Sequence, residues 1–134
     1  GVPMAAQAVG MSAAVDYLNA LGMDRVAEHE HMLTEAALAG LADIPGLRVI
    51  GPTSSVNRGS AVSFALEGLH PHDVGQVMDE SGIAVRVGQH CAKPACVRFG
   101  VQATTRATFY IYNDLEDVDA LVAGIYSAKK FFGV

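Results

Sequence analysis

The sequence predicts an α+β domain in which a short, mostly antiparallel sheet of about four strands is covered by helices. Three observations lead there. Two long stretches near the N-terminus and one at the C-terminus carry apolar residues at helical spacing, and between them lie four short runs rich in β-branched or aromatic residues. A helix-like stretch separates consecutive runs only between the second and the third, so a fully parallel doubly wound sheet is not expected. At 134 residues the chain suits one domain, 1–134, with a core of its own.

Gly1-Val2-Pro3 leads into MAAQAVGMSAAVDYLNALG, with Pro3 suited to a first helical turn and Gly22 to the stop. Its apolar residues cover almost every face, and a helix apolar all round needs burial on more than one side. Residues 1–22 are therefore expected to form a connecting helix that packs on a further domain or a second subunit. Asp24 can cap a second helix running to Ala42, with Val26, Leu33, Ala37, Leu38 and Leu41 inward and Glu28 to His31 mostly outside. His29 and His31 then point about 200° apart, at 3.6 residues per turn, and are no chelating pair.

Pro45-Gly46 turns the chain into a first strand, Leu47 to Ile50, and Ala61 to Leu66 alternates toward a second with Val62, Phe64 and Leu66 on one face. His70-Pro71-His72-Asp73 opens a short helix through Met78, Gly82 ends it, and Ile83 to Val87 follows as the third strand. Thr108 to Tyr112 is the fourth, on β-propensity. Asn113 or Asp114 can cap a last helix reaching Phe131, with Glu116, Asp117 and Asp119 at its positive end and Lys129 and Lys130 at its negative end. Between the third and fourth strands, Val87 to Thr105 shows no apolar period and several glycines and prolines, which predicts a mobile loop.

Composition narrows the function classes. With 51% hydrophobic and 17% charged residues the chain reads as an ordinary globular piece. No charge-free apolar run reaches 18 residues and no basic segment precedes an apolar one at the start, which argues against a membrane span and a signal peptide. A net charge of -5 argues against a generic nucleic-acid binder. The two cysteines, Cys91 and Cys96, fit neither a C-x-x-C redox pair nor a paired-ligand zinc module, so a reducing cytoplasmic setting is expected.

Charge is distributed unevenly. Ser81 to Asn113 holds Arg86, Lys93, Arg98 and Arg106 and none of the 14 Asp and Glu, which all lie elsewhere. Near its middle stands Cys91, preceded by His90 and followed by Lys93 and Arg98. A free thiol is only about 3% thiolate at pH 7, and cationic neighbours raise that share. Cys91 reads either as a nucleophile on an anion-attracting loop or as a small buried hydrophobe. A metal- or partner-binding module using Cys91, Cys96 and His90 or His72 is a further alternative, although its ligand spacing is unlike that of structural zinc sites.

The wording of this segment is more specific than its composition. GIAVRVGQHCAKP followed by RFGVQATTRATFYIYN resembles the C-terminal region of group II (SufS-type) cysteine desulfurases, whose pattern reads R-x-G-x-H-C-A-x-P, R-F-G and T-x-R-A-S-F-Y-x-Y-N. The resemblance runs from Gly1 to Val134. It implies the small C-terminal domain of a fold-type I pyridoxal-phosphate enzyme that turns L-cysteine into L-alanine. It also implies a persulfide on Cys91, a substrate carboxylate held by Arg106, and a homodimer that passes sulfur to an acceptor protein of iron-sulfur cluster assembly.

The resemblance bears on the two ends of the site as well. Val2 stands where the family has a threonine near the cofactor phosphate, and a valine leaves only its backbone for such a contact. His72 reads as a polar helix-start residue, whereas the resemblance places it near the active-site mouth where an acceptor docks. The chain is expected to be a fragment of a longer enzyme. Alone it is expected neither to bind pyridoxal phosphate nor to be active, because the cofactor lysine of the family belongs to a large domain that nothing here matches. A class V aminotransferase-like domain without desulfurase activity, needing the arginine but no cysteine, is the alternative within the same fold.

Overall fold

The computed structural model describes residues 1–134. Its elements are α1 (Ala5–Leu21), α2 (Met23–Ala42), β1 (Leu47–Ile50), β2 (Ala61–Leu66), α3 (Pro71–Glu80), β3 (Arg86–Gly88), α4 (Lys93–Phe99), β4 (Thr104–Thr108) and α5 (Leu115–Phe132). The strands lie in the order β1-β2-β4-β3, and every neighbouring pair is antiparallel. This is the expected α+β architecture of helices on a four-stranded sheet.

Alternation within β2 sets the layers. Successive strand residues point to opposite faces, and Val62, Phe64 and Leu66 are buried while the residues between them are not. Their face packs against Leu33, Leu38 and Leu41 of α2, Val74 and Met78 of α3, and Val118, Leu121 and Ile125 of α5 in one core. Close approach matters where α3 meets the sheet: a Cβ on Gly75 would lie 2.7 Å from a Val87 methyl, so only glycine lets α3 sit down on β3. The opposite face of the sheet has no long helix on it.

Several boundaries differ from expectation. Gly22, at φ +89, both stops α1 and starts α2, which places Asp24 in the first turn of α2 rather than at its cap. No residue of α1 is buried, as the all-round apolar pattern implies for a helix this domain does not cover. His29 is half-buried and not simply solvated, because its Nε2 lies 2.9 Å from the Asn113 carbonyl oxygen.

The third strand is Arg86–Gly88, and Ile83 and Val85 pack half-buried against the core ahead of it. The fourth is Thr104–Thr108, not Thr108 to Tyr112. There the aromatic run was misread as pairing. The Tyr110 N–H donates to Asn113 Oδ1 at 2.9 Å and the Asn113 N–H to the Tyr110 carbonyl at 3.0 Å, which folds residues 110–113 into a turn before α5.

The largest correction concerns residues 87–105. They are not an irregular mobile loop: they hold the end of β3, the helix α4 and the start of β4. Pro94 lies in the first turn of α4 and Gly100, left-handed at φ 67, caps its end. The residues read as loop punctuation are a helix start and stop. Cys96 is the buried residue of α4, and the Arg48 Nη2 donates to the Phe99 carbonyl at 3.0 Å, tying the end of the helix to β1.

Candidate active site

Residues directly opposite in antiparallel strands share a face. The register therefore lays Ile50, Ser63, Arg106 and Arg86 in one row across β1, β2, β4 and β3, on the face away from the core helices. Gly88 and Thr104 form the next row toward the end of β3, and Arg48 and Ala65 lie on the same face. No Asp or Glu stands in these strands. Two guanidinium groups on opposed residues repel one another, a cost that an anion between them would offset. Arg106 is half-buried in the central strand, and its Nε is a buried atom without a hydrogen-bond partner. Such orphans are few in native proteins and point to a partner that belongs there.

Beyond Gly88 the chain makes an unusual turn. His90 and Cys91, at φ 53 and 59, are successive non-glycine residues in the left-handed region, a conformation that costs on the order of 1–3 kcal/mol per residue unless surrounding contacts hold it. Contacts do hold it. The Ala92 N–H donates to the Gln89 carbonyl at 2.8 Å, Gln89 Nε2 donates to the Gln102 carbonyl at 3.3 Å, and His90 Nε2 lies 2.9 Å from Thr104 Oγ1. Cys91 stands exposed at the crest of the turn. Burial holds the His90 pKa below its ordinary 6.5, helped by the positive charge of Arg106; Thr104 pulls it upward by less than these, and Arg86 adds the smallest downward push. The ring's Nδ1 is buried without a partner.

The structure joins the residues singled out in the sequence unevenly. Cys91 and Arg106 belong to one region, linked through His90, Thr104 and β4. His72 is exposed in the first turn of α3, its N–H 3.3 Å from His70 Nδ1. The contact of Gly75 with Val87 seats α3 on the core side of β3, and no hydrogen bond joins His72 to Cys91 or Arg106. Val2 is 94% exposed ahead of α1 and does not contribute to this cluster. Cys91 is exposed and Cys96 buried, and no group of three or more His, Cys, Asp or Glu is placed to hold a metal ion, so the metal-module alternative has no ligand set. Sequence reasoning counted Arg86 only among the basic residues of the segment and gave Thr104 no role, although each opens one of the quoted motifs. The alternation Arg86-x-Gly88 could have paired Arg86 with a second strand, but only the register shows which residue it opposes.

A model of the class-V aminotransferase family matches residues 1–121. The chain belongs to the class-V aminotransferase family. Within that family it is similar to a probable cysteine desulfurase of Streptomyces coelicolor, 58% identical over 133 residues, and to probable cysteine desulfurase 2 of Mycobacterium leprae, 54% identical; each match covers 99% of this chain and 32% of the relative. Among solved structures it is similar to the cysteine desulfurase CsdA (S-sulfonic acid) from Escherichia coli, with 34% identity and a TM-score of 0.89 over 98% of this chain and 32% of that one. The apo cysteine desulfurase from Thermococcus onnurineus NA1 gives 34% identity and a TM-score of 0.91 over 100% of this chain and 33% of that one. The chain thus spans about a third of the length of the curated relatives it matches (32%).

Proposed function

We propose that this chain is the C-terminal small domain of a pyridoxal-phosphate-dependent cysteine desulfurase that takes sulfur from L-cysteine as a persulfide on Cys91 and releases L-alanine. The observation that carries the reading is the pairing of an exposed thiol, held out on a left-handed turn, with an acid-free sheet face on which Arg106 keeps a buried, unpartnered Nε. A thiol without an anion site would fit many proteins, and an anion site without a thiol would fit a transaminase. Together, beside relatives bearing the desulfurase name, they fit sulfur transfer from an amino acid.

The residues present suit the substrate end of this chemistry. A planar guanidinium in a sheet can receive a carboxylate bidentately and fix its orientation. Val2 has no hydroxyl to offer a cofactor phosphate, so only its backbone could contribute there. Pyridoxal phosphate, bound by the complete enzyme, would supply the electron sink that weakens the carbon–sulfur bond. Cys91, as thiolate, attacks the substrate sulfur. The sulfur–sulfur bond forms as the carbon–sulfur bond breaks, and the bonding pair stays with the three-carbon fragment, which is protonated to alanine. In sum, a thiol and cysteine become a persulfide and alanine, with no outside oxidant.

The exposed persulfide then passes to an acceptor protein of iron-sulfur assembly in the cytoplasm. His72, exposed at the start of α3, belongs to the docking surface, and the complete enzyme acts as a homodimer. No helix of this chain is long and apolar enough to cross a membrane. By itself the chain is expected neither to retain the cofactor nor to release sulfide.

Substitution in the complete enzyme tests the assignment. Cys91→Ala should keep the cofactor's absorbance and lose alanine production from cysteine, while Cys96→Ala should leave both intact. Alanine formation that survives Cys91→Ala, or fails in Cys96→Ala, would overturn the choice of nucleophile.

A further inference from the structure

Cys91 carries no hydrogen bond that fixes its side chain, yet its position is determined. It follows His90 directly, both residues are left-handed, and Gly88 ahead of them has φ 121, so the direction of the thiol depends on how His90 is held. The His90 ring folds back over the last rung of the β3–β4 ladder, where Gly88 opposes Thr104, and meets the Thr104 hydroxyl at 2.9 Å. Thr104 is buried at 3% exposure, so its hydroxyl and the imidazole satisfy one another away from water. Gly88 is needed here for its backbone, at φ 121, and not for space, since a Cβ on it would meet nothing within 4 Å.

Thr104 is also two residues before Arg106 in the same strand, on the same face. The anchor of the thiol turn and the guanidinium proposed for the substrate carboxylate are therefore adjacent side chains on one rigid element. We infer that Thr104, acting through His90, is a positioning residue that sets where the Cys91 thiol stands relative to Arg106. The hydroxyl matters to this role rather than the volume of the side chain, because the oxygen is the atom that bonds to the ring. The inference takes its kinetic meaning from the desulfurase reading, but the clamp itself can be probed without it.

The test uses the complete enzyme with its cofactor. Thr104→Val keeps the shape and removes the hydroxyl, and it should slow single-turnover persulfide formation on Cys91 about tenfold or more, the scale expected when a reacting group is misplaced by a fraction of an ångström to an ångström. The KM for cysteine and the cofactor absorbance should hold, since Arg106 is untouched. Thr104→Ser should restore the rate. His90→Phe should lose as much as Thr104→Val, and the double variant no more than either, because both remove one contact. A Thr104→Val enzyme with the parent rate overturns the inference, as does a Ser variant as slow as the Val variant or a double variant whose losses multiply.

If the parent enzyme moves no sulfur from cysteine to Cys91, the desulfurase reading fails and the clamp is read instead from alkylation of Cys91 by iodoacetamide in the same protein. Release of the turn should make Thr104→Val react several-fold faster than the parent, with Thr104→Ser back at the parent rate. Equal rates in the parent and Thr104→Val overturn the clamp.

Discussion

At the scale of single residues, the site separates reach from orientation: Cys91 stands exposed on its turn while Arg106 is half-buried in the central strand. Arg106→Ala in the complete enzyme should therefore weaken cysteine binding by about 1.5–3 kcal/mol, the range for a hydrogen bond to a charged group, without changing the rate at which Cys91 is alkylated. Substrate titration followed by an alkylation time course checks both; equal losses in the two would make Arg106 a thiolate stabiliser instead. His90 gives a pH signature. Above pH 6.5 the ring is neutral folded and unfolded and contributes nothing to the slope. As pH falls below 6.5 the unfolded chain takes up its proton first, because burial and then Arg106 and Arg86 hold the folded pKa lower, so stability is lost through that window. Urea unfolding at pH 7.5 and 5.5 should show a smaller difference in His90→Gln than in the parent; an equal difference would place the slope on other groups. Cys91 and Arg106 stood out in the sequence through the motifs of the resemblance, which are what give them their proposed roles. Thr104 opens the motif that contains Arg106, but its contact with His90 depends on a register that spacing does not encode.

At the scale of elements, patterns repeated over many residues were read well and short ones were not. The inward faces of α2 and α5 follow from apolar residues three and four apart, and all of Val26, Leu33, Ala37, Leu38 and Leu41 are buried. β4 shifted because Phe109 to Tyr112 has strong β-propensity but sits beside Asn113, whose side chain takes the Tyr110 N–H and ends the pairing. α4 was hidden because seven residues are too few for a visible period. The start of α5 shows what local chemistry does secure. The Asp114 side chain accepts from the N–H groups of Glu116 and Asp117, and the Asp117 carboxylate accepts from Asn113 Nδ2 and then Asp114 N–H, two bonds that hold the Asp117 pKa below its usual value. Asp114→Ala should cost about 0.5–2 kcal/mol, the usual loss of a good cap, measurable as a lower urea midpoint with unchanged slope.

At the scale of the whole molecule, the sheet has two unlike faces. One is closed by α2, α3 and α5 into the core; the other carries Arg86, Arg106 and the Cys91 turn, with no Asp or Glu in its strands. α1, with none of its residues buried, and a chain that spans 32% of its curated relatives both fit a domain that completes its site against further protein. The α+β class was readable from the order of patterns alone, whereas the two-faced character needed the pairing of strands. The central claim is that the open face orients an amino acid so that its sulfur moves to Cys91. Peptide mass mapping of the complete enzyme after a single turnover with L-cysteine tests it most directly. The mass of one added sulfur atom is expected on the peptide carrying Cys91, reducible by dithiothreitol and matched by an equal amount of alanine. Alanine appearing with that peptide unmodified, or the added sulfur residing on Cys96, would contradict it.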